Sequence, residues 1–138
     1  MTCYILDSDH VSLHQRRHAA VVHRLASLPP DDVFVTIVTV EEQLRGWLAV
    51  VRRTSTPERL IAAYASLHRT VIARLNLLDY SADAASHFAA LRGQRVRVGM
   101  QDLRIAAIAL AVGGLLITRN RRDFQPVPGL LLEDWGAL

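Results

Sequence analysis

The sequence predicts an α/β fold in which a short central parallel sheet of four to five strands is covered by helices on both faces, a three-layer α/β/α arrangement. Three observations carry this expectation. The strands read as short, continuous apolar runs, without the polar alternation of a half-exposed sheet, as strands buried on both faces do. Between them, apolar residues recur at helical spacing. Strand and helix also alternate along the chain, the order that yields a parallel sheet with right-handed crossovers. At 138 residues the chain has the size of one domain, and residues 1–138 are read as a single unit.

Cys3-Tyr4-Ile5-Leu6 reads as the first strand, closed by the polar Asp7-Ser8-Asp9, where Ser8 or Asp9 is placed to cap a helix through Val11 and Leu13. Ala19 to Leu28 reads as a second short helix, broken by the turn Pro29-Pro30-Asp31-Asp32. The β-branched run Val33 to Val38 is the second strand, and Thr39 can cap the next helix with Glu41 and Glu42 in its first turn. Val40, Leu44, Trp47, Leu48 and Val51 form that helix's apolar face. Thr56-Pro57-Glu58 opens another helix, through Leu60, Ile61, Tyr64, Leu67 and Ile72 towards Leu75. Leu77-Leu78 is a brief third strand, and Ser81-Ala82-Asp83 begins a helix through Phe88 and Leu91. After a loop from Gly93 to Gly99, Gln101 to Val112 is an Ala-rich helix ended by Gly113-Gly114. Leu115 to Thr118 is the fourth strand, Arg119 to Phe124 a polar loop or short turn of helix, and Gly129 to Leu132 the last strand.

The composition narrows the chemistry. All 16 basic residues are arginine, so no reaction that needs a lysine is open to this chain; base composition of the genome accounts for the bias more readily than function does. Cys3 is the only cysteine, which excludes an intramolecular disulfide and a cysteine-based zinc site and suits a reducing cytoplasm. The longest run free of polar side chains, Ile105 to Ile117, is shorter than the roughly 18 residues a membrane span requires. Asp7 and Asp9 follow the first residues too closely for a signal peptide. The expectation is a soluble cytoplasmic protein with no membrane contact. A net charge of +3 is compatible with a polyanionic partner.

In a parallel sheet all strand C-terminal ends lie along one edge, where ligands bind. Asp7 follows strand 1, Glu41 and Glu42 open the helix after strand 2, Asp102 opens the Ala-rich helix, and Asn120 and Asp123 follow strand 4. Glu41, Glu42 and Asp102 each have a local explanation as first-turn acids, but an acid ending a buried strand, as Asp7 does, needs a partner. Carboxylates gathered at one edge repel unless a cation neutralises them, and oxygen-only donors select hard ions such as Mg²⁺ or Mn²⁺. Such a site can hydrolyse phosphodiesters.

The segments Ile5 to Ser12, Thr39 to Gly46, Asp102 to Ala107 and Thr118 to Phe124, in this order, resemble the PIN-domain ribonucleases, and among these the VapC-type toxins of type II toxin-antitoxin systems. The resemblance runs from strand 1 to Trp135. It implies a PIN-like fold, a Mg²⁺- or Mn²⁺-dependent endoribonuclease that restrains translation or growth, a cognate antitoxin protein, and a homodimer. By position it makes Asp7, Glu42, Asp102 and Asp123 the catalytic acids. Glu42 matches better than Glu41 because it stands four residues before Gly46. Asp7 and Asp102 would ligate the principal metal, and Glu42 would orient the attacking water or complete the shell. Asn120 or Asp123 would serve a second metal, Thr118 and Ser8 would bond the ligands or the phosphate, and Arg119, Arg121 and Arg122 would grip RNA phosphates. Cleavage would leave 5′-phosphate and 3′-hydroxyl ends. A degenerate PIN-like module that binds RNA or protein without cutting, or a metal-dependent nuclease acting on DNA, is the alternative.

Two further features stand apart. His10, His14 and His18 recur every four residues and would line one face of an uninterrupted helix, a stripe able to bind a transition metal. Trp47, Leu48 and Val51 are either core or part of a groove for an antitoxin helix.

Overall fold

The computed structural model describes residues 2–73 and 76–136. Five strands, β1 (Tyr4–Leu6), β2 (Val33–Thr36), β3 (Leu77–Leu78), β4 (Leu115–Ile117) and β5 (Leu131–Glu133), form one sheet in the order β3-β2-β1-β4-β5. Every pairing is parallel. The chain leaves β1 towards β2 on one side and later returns to place β4 on the other, so the order reverses between β1 and β4. Such a switch point opens a crevice at the strand C-termini.

Strand periodicity distributes the apolar residues to two cores. Ile5, Phe34, Leu116 and Leu132 point to one face, where α5 (Ala82–Gly93) and α6 (Met100–Val112) cover them through Ala84, Leu91, Leu103, Ile105 and Ile108. Tyr4, Leu6, Val35 and Ile117 point to the other, where α1 (Ser8–Gln15) and α2 (Ala19–Ala26) contribute Leu13 and Val21, and Trp135 closes the layer. The long α3 (Ile37–Arg53) sends Val38 into the first core and packs Val40 against the second, and it pairs with α4 (Pro57–Ile72). A short α7 (Arg121–Phe124) follows β4 and buries Phe124. The three-layer expectation therefore holds. Among the described residues, no helix is long and apolar enough to cross a membrane.

Several boundaries differ from the sequence reading, each for a local reason. The β-branched run from Val33 does not stay extended to Val38, because Thr36 caps a helix that begins at Ile37: its hydroxyl accepts the Thr39 amide at 3.1 Å. Thr39 is thus inside α3, and Glu41 and Glu42 lie in its second turn, where no helix-end argument explains them. Asp7, and not Ser8 or Asp9, is the N-cap of α1, accepting the Ser8 amide at 2.8 Å. α1 stops at Gln15, Arg17 takes a left-handed φ of 58°, and His18 becomes the N-cap of α2. His10 and His14 stay on α1 but His18 lies beyond it, so the three histidines do not line one helix face and the three-residue metal-binding stripe is not formed. The expected approach of α4 to Leu75 lies outside the described residues.

Gly113 ends α6 in the left-handed conformation, as its place after the Ala-rich helix implied. Gly114 has a different constraint: a Cβ there would lie 2.6 Å from Ile5 Cδ1 and 3.2 Å from the Cys3 carbonyl oxygen. Gly114→Ala is expected to push β4 from β1 and to cost about 1 to 3 kcal/mol, a loss that urea unfolding would measure.

Candidate active site

Four elements deliver the acids to the crevice between β1 and β4. The end of β1 supplies Asp7, which is 4% exposed. Its amide is held by the Ile117 carbonyl at 2.9 Å, and its Oδ2 accepts the Thr118 hydroxyl at 2.9 Å. α3 supplies Glu42, one turn inside the helix and half-buried. α6 supplies Asp102 in its first turn, also half-buried, and α7 supplies the exposed Asp123.

Their mutual influence shows which of them face one another. Burial first, and then the Asp9 and Asp102 charges, raise the Asp7 carboxyl to about 6, although bonds from Ser8 and Thr118 pull it down. Glu42 is raised to about 7 by burial, followed by the charges of Asp7, Asp102 and Glu41. Asp102 is raised by burial, then by Asp123 and Asp9. Asp7, Glu42, Asp102 and Asp123 are thus linked in one electrostatic group.

Glu41 belongs elsewhere. It is exposed, accepting from Arg45 at 2.9 Å and from Gln101 at 3.0 Å. Glu42 Oε1, by contrast, is buried and has no hydrogen-bond partner among the described residues. A buried, unsatisfied carboxylate oxygen among other carboxylates costs free energy that a cation would recover. The donor set, all oxygen, suits a hard divalent ion. Among the described residues, no three acids already stand together in ligand positions, so the acids are neighbours and not a preformed cage.

The remaining expected residues divide. Ser8 accepts from Gln43 Nε2 at 3.1 Å, which ties α1 to α3 beside Asp7 and Glu42. Thr118 is fully buried and bonded to Asp7 directly. Asn120 caps α7 through its backbone, without a side-chain bond, whereas the Asp123 charge acts on Asp102. Arg119, Arg121 and Arg122 are exposed beside this motif. Trp47 lines a groove of about 830 Å³ with Val11, Val22, Val40, Arg16 and Arg69, while Leu48 is exposed and Val51 half-buried.

Sequence reasoning missed Asp9 and His10. Asp9 accepts from His10 and Arg119 and lies 3.3 Å from the Thr118 hydroxyl, and the fully buried His10 reaches Trp135. A second acid two residues after Asp7 was the available signal. Reading it as a helix cap concealed it.

A parallel sheet with carboxylates gathered at its switch point defines a class of hydrolase built to handle a divalent ion and a phosphodiester. The chain belongs to the PIN-domain family, whose model matches residues 4–130, and within it to the VapC ribonucleases. The tRNA(fMet)-specific endonuclease VapC of Shigella flexneri is 30% identical over 98% of this chain and 99% of that protein. DNA-bound VapBC from Salmonella typhimurium matches with a TM-score of 0.74 and 28% identity, over 98% of this chain and 99% of the other. VapBC-5 of Mycobacterium tuberculosis, a member of the VapBC family of toxin-antitoxin systems, matches with a TM-score of 0.60 and 27% identity, over 97% and 98%. PIN-domain nucleases work with a divalent metal ion.

Proposed function

We propose that this protein is an endoribonuclease that hydrolyses RNA phosphodiester bonds with Mg²⁺ or Mn²⁺, and that it is the toxin of a toxin-antitoxin pair. The observation that carries the reading is the partnerless Glu42 Oε1 beside Asp7 and Asp102, with all three carboxyls raised in pKa. These three acids would hold the ion, and Asp123 is favoured over Asn120 as the fourth because its charge reaches Asp102.

When bound, the ion supplies Lewis-acid stabilisation of the charge that develops on the phosphate and lowers the pKa of a coordinated water. The chain's residues do the rest. Thr118 fixes the Asp7 carboxylate by donating to Oδ2, and the Ser8 amide fixes Oδ1. Glu42 would orient the attacking water or complete the ion's shell. Arg119, Arg121 and Arg122 lie exposed on the same edge, where they can neutralise RNA phosphates.

The relatives solved as VapBC assemblies support an antitoxin as partner. The apolar groove at Trp47, with Arg16 and Arg69 on its rim, is a suitable seat for an amphipathic antitoxin segment. A homodimer in the cytoplasm completes the proposal. Purified protein incubated with RNA and with single-stranded DNA, in Mg²⁺ and in EDTA, tests it. Internal cleavage of RNA alone, abolished by EDTA and leaving 5′-phosphate ends, is expected. Cleavage of DNA alone would point to a DNA nuclease, and no cleavage of either to a binding module.

A further inference from the structure

Asp9 and His10 border the acidic crevice but have no part in the chemistry above. Their hydrogen bonds form a connected chain. The Trp135 amide donates to His10 Nε2 at 3.1 Å, and Asp134 Oδ1 lies 3.5 Å from the same nitrogen. An amide can only donate, so Nε2 carries the lone pair, and the neutral ring holds its proton on Nδ1. That Nδ1 meets Asp9 Oδ1 at 2.7 Å. Asp9 Oδ2 accepts the Arg119 amide at 3.0 Å and lies 3.3 Å from the Thr118 hydroxyl.

A hydroxyl has a single proton to give. Thr118 Oγ1 stands closer to Asp7 Oδ2, at 2.9 Å, and accepts the Asn120 amide at 3.0 Å. Because His10 and Arg119 already satisfy Asp9, the Thr118 proton is left for Asp7.

The geometry points to Asp9 and His10 as positioning residues for RNA cleavage: Asp9 acts as a hydrogen-bond acceptor that clamps the turn Thr118-Arg119-Asn120, so that Thr118 is aimed at Asp7, and His10 anchors this clamp to the chain's closing segment at Trp135. This inference rests on the ribonuclease reading. It assigns to Asp9 a task that needs an acceptor and not a charge, whereas an acid that holds the ion grips it much less firmly once its charge is removed. An asparagine at this position could still accept the Arg119 amide through its oxygen. Its NH₂ would then donate to His10 Nδ1, moving the ring proton to Nε2; the Trp135 amide hydrogen bond is given up and Asp134 Oδ1 accepts from Nε2 in its stead, so that the ring stays tied to the same segment.

The test compares wild type, Asp9→Ala and Asp9→Asn for kcat on RNA and for the Mn²⁺ concentration giving half-maximal rate, alongside ¹⁵N NMR of the His10 ring in metal-free protein. Asp9→Ala is expected to lose about 10- to 100-fold in kcat. Asp9→Asn is expected to recover kcat and the Mn²⁺ midpoint close to wild type, with the ring proton moved from Nδ1 to Nε2. An Asp9→Asn variant as impaired as Asp9→Ala, with a raised Mn²⁺ midpoint, would make Asp9 a metal ligand and overturn the inference. Wild-type kcat in Asp9→Ala would overturn it as well. If Asp9→Ala does not fold, Asp9→Asn alone decides. A wild type that cuts no RNA would defeat the ribonuclease reading instead, while the NMR still judges the clamp: an Nε2 proton in wild type would contradict it.

Discussion

Asp7→Asn is expected to slow metal-dependent RNA cleavage by about a thousandfold, or about 4 kcal/mol of lost transition-state stabilisation, while the fold is kept. Asn is as good an N-cap as Asp, so its oxygen can still accept the Ser8 amide. Its NH₂ would donate to Thr118, whose own proton can turn to Asp9 Oδ2, 3.3 Å away. What is lost is the charge proposed to hold the ion. The metal-free variant should melt no lower than wild type, because a buried carboxylate repelled by Asp9 and Asp102 has been removed. Steady-state kinetics and a thermal melt check both halves, and full activity in the folded variant would exclude Asp7 from the reaction.

The second large effect joins pH, metal and stability. Asp7 sits at about 6 against an ordinary 3.8, and Glu42 at about 7 against 4.5. Between those values the folded chain keeps protons that the unfolded chain has released. These groups therefore favour the metal-free fold below about pH 4, and that contribution is lost as the pH rises through 6 and 7. A divalent ion opposes the loss, since it takes the place of the protons. At about one hundred times its Kd, Mn²⁺ is expected to stabilise the protein by about 2.7 kcal/mol near neutral pH, a rise in Tm on the order of 10 °C. The rise should be much smaller at about pH 5, where the ion competes with protons. Melting curves at both pH values, with and without Mn²⁺, provide the check. An equal rise at both would place the ion away from Asp7 and Glu42.

Much of the fold was legible because its signals are local. β1, β4 and β5 announce themselves as short apolar runs, and Gly113 and Pro57 mark helix ends through their own backbone preferences. The junction of β2 with α3 was not legible in the same way. Val33 to Val38 is uniformly β-branched or aromatic, and only the Thr36 hydroxyl bonding the Thr39 amide shows where the helix starts. That shift altered the reading of the site, since it removed the helix-end explanation for Glu42.

Asp7 and Asp123 stood out by position, each following a strand, and Asp102 as a first-turn acid of α6. Their interplay was not legible, because it depends on β1 lying beside β4. Thr118 reaches Asp7 from 111 residues away and Asp9 from 109, contacts that no sequence window contains. The histidine stripe failed for a related reason. A non-glycine residue with a left-handed φ, Arg17, interrupts the helix, and nothing in its side chain signals this.

The most direct measurement is the anomalous diffraction of a crystal of the wild-type protein soaked in Mn²⁺. A manganese peak bounded by Asp7, Glu42 and Asp102, with Glu42 Oε1 turned onto the ion, is the expected result. A peak elsewhere on the surface, with Glu42 Oε1 still without a partner, would contradict the assignment of these acids as the metal centre.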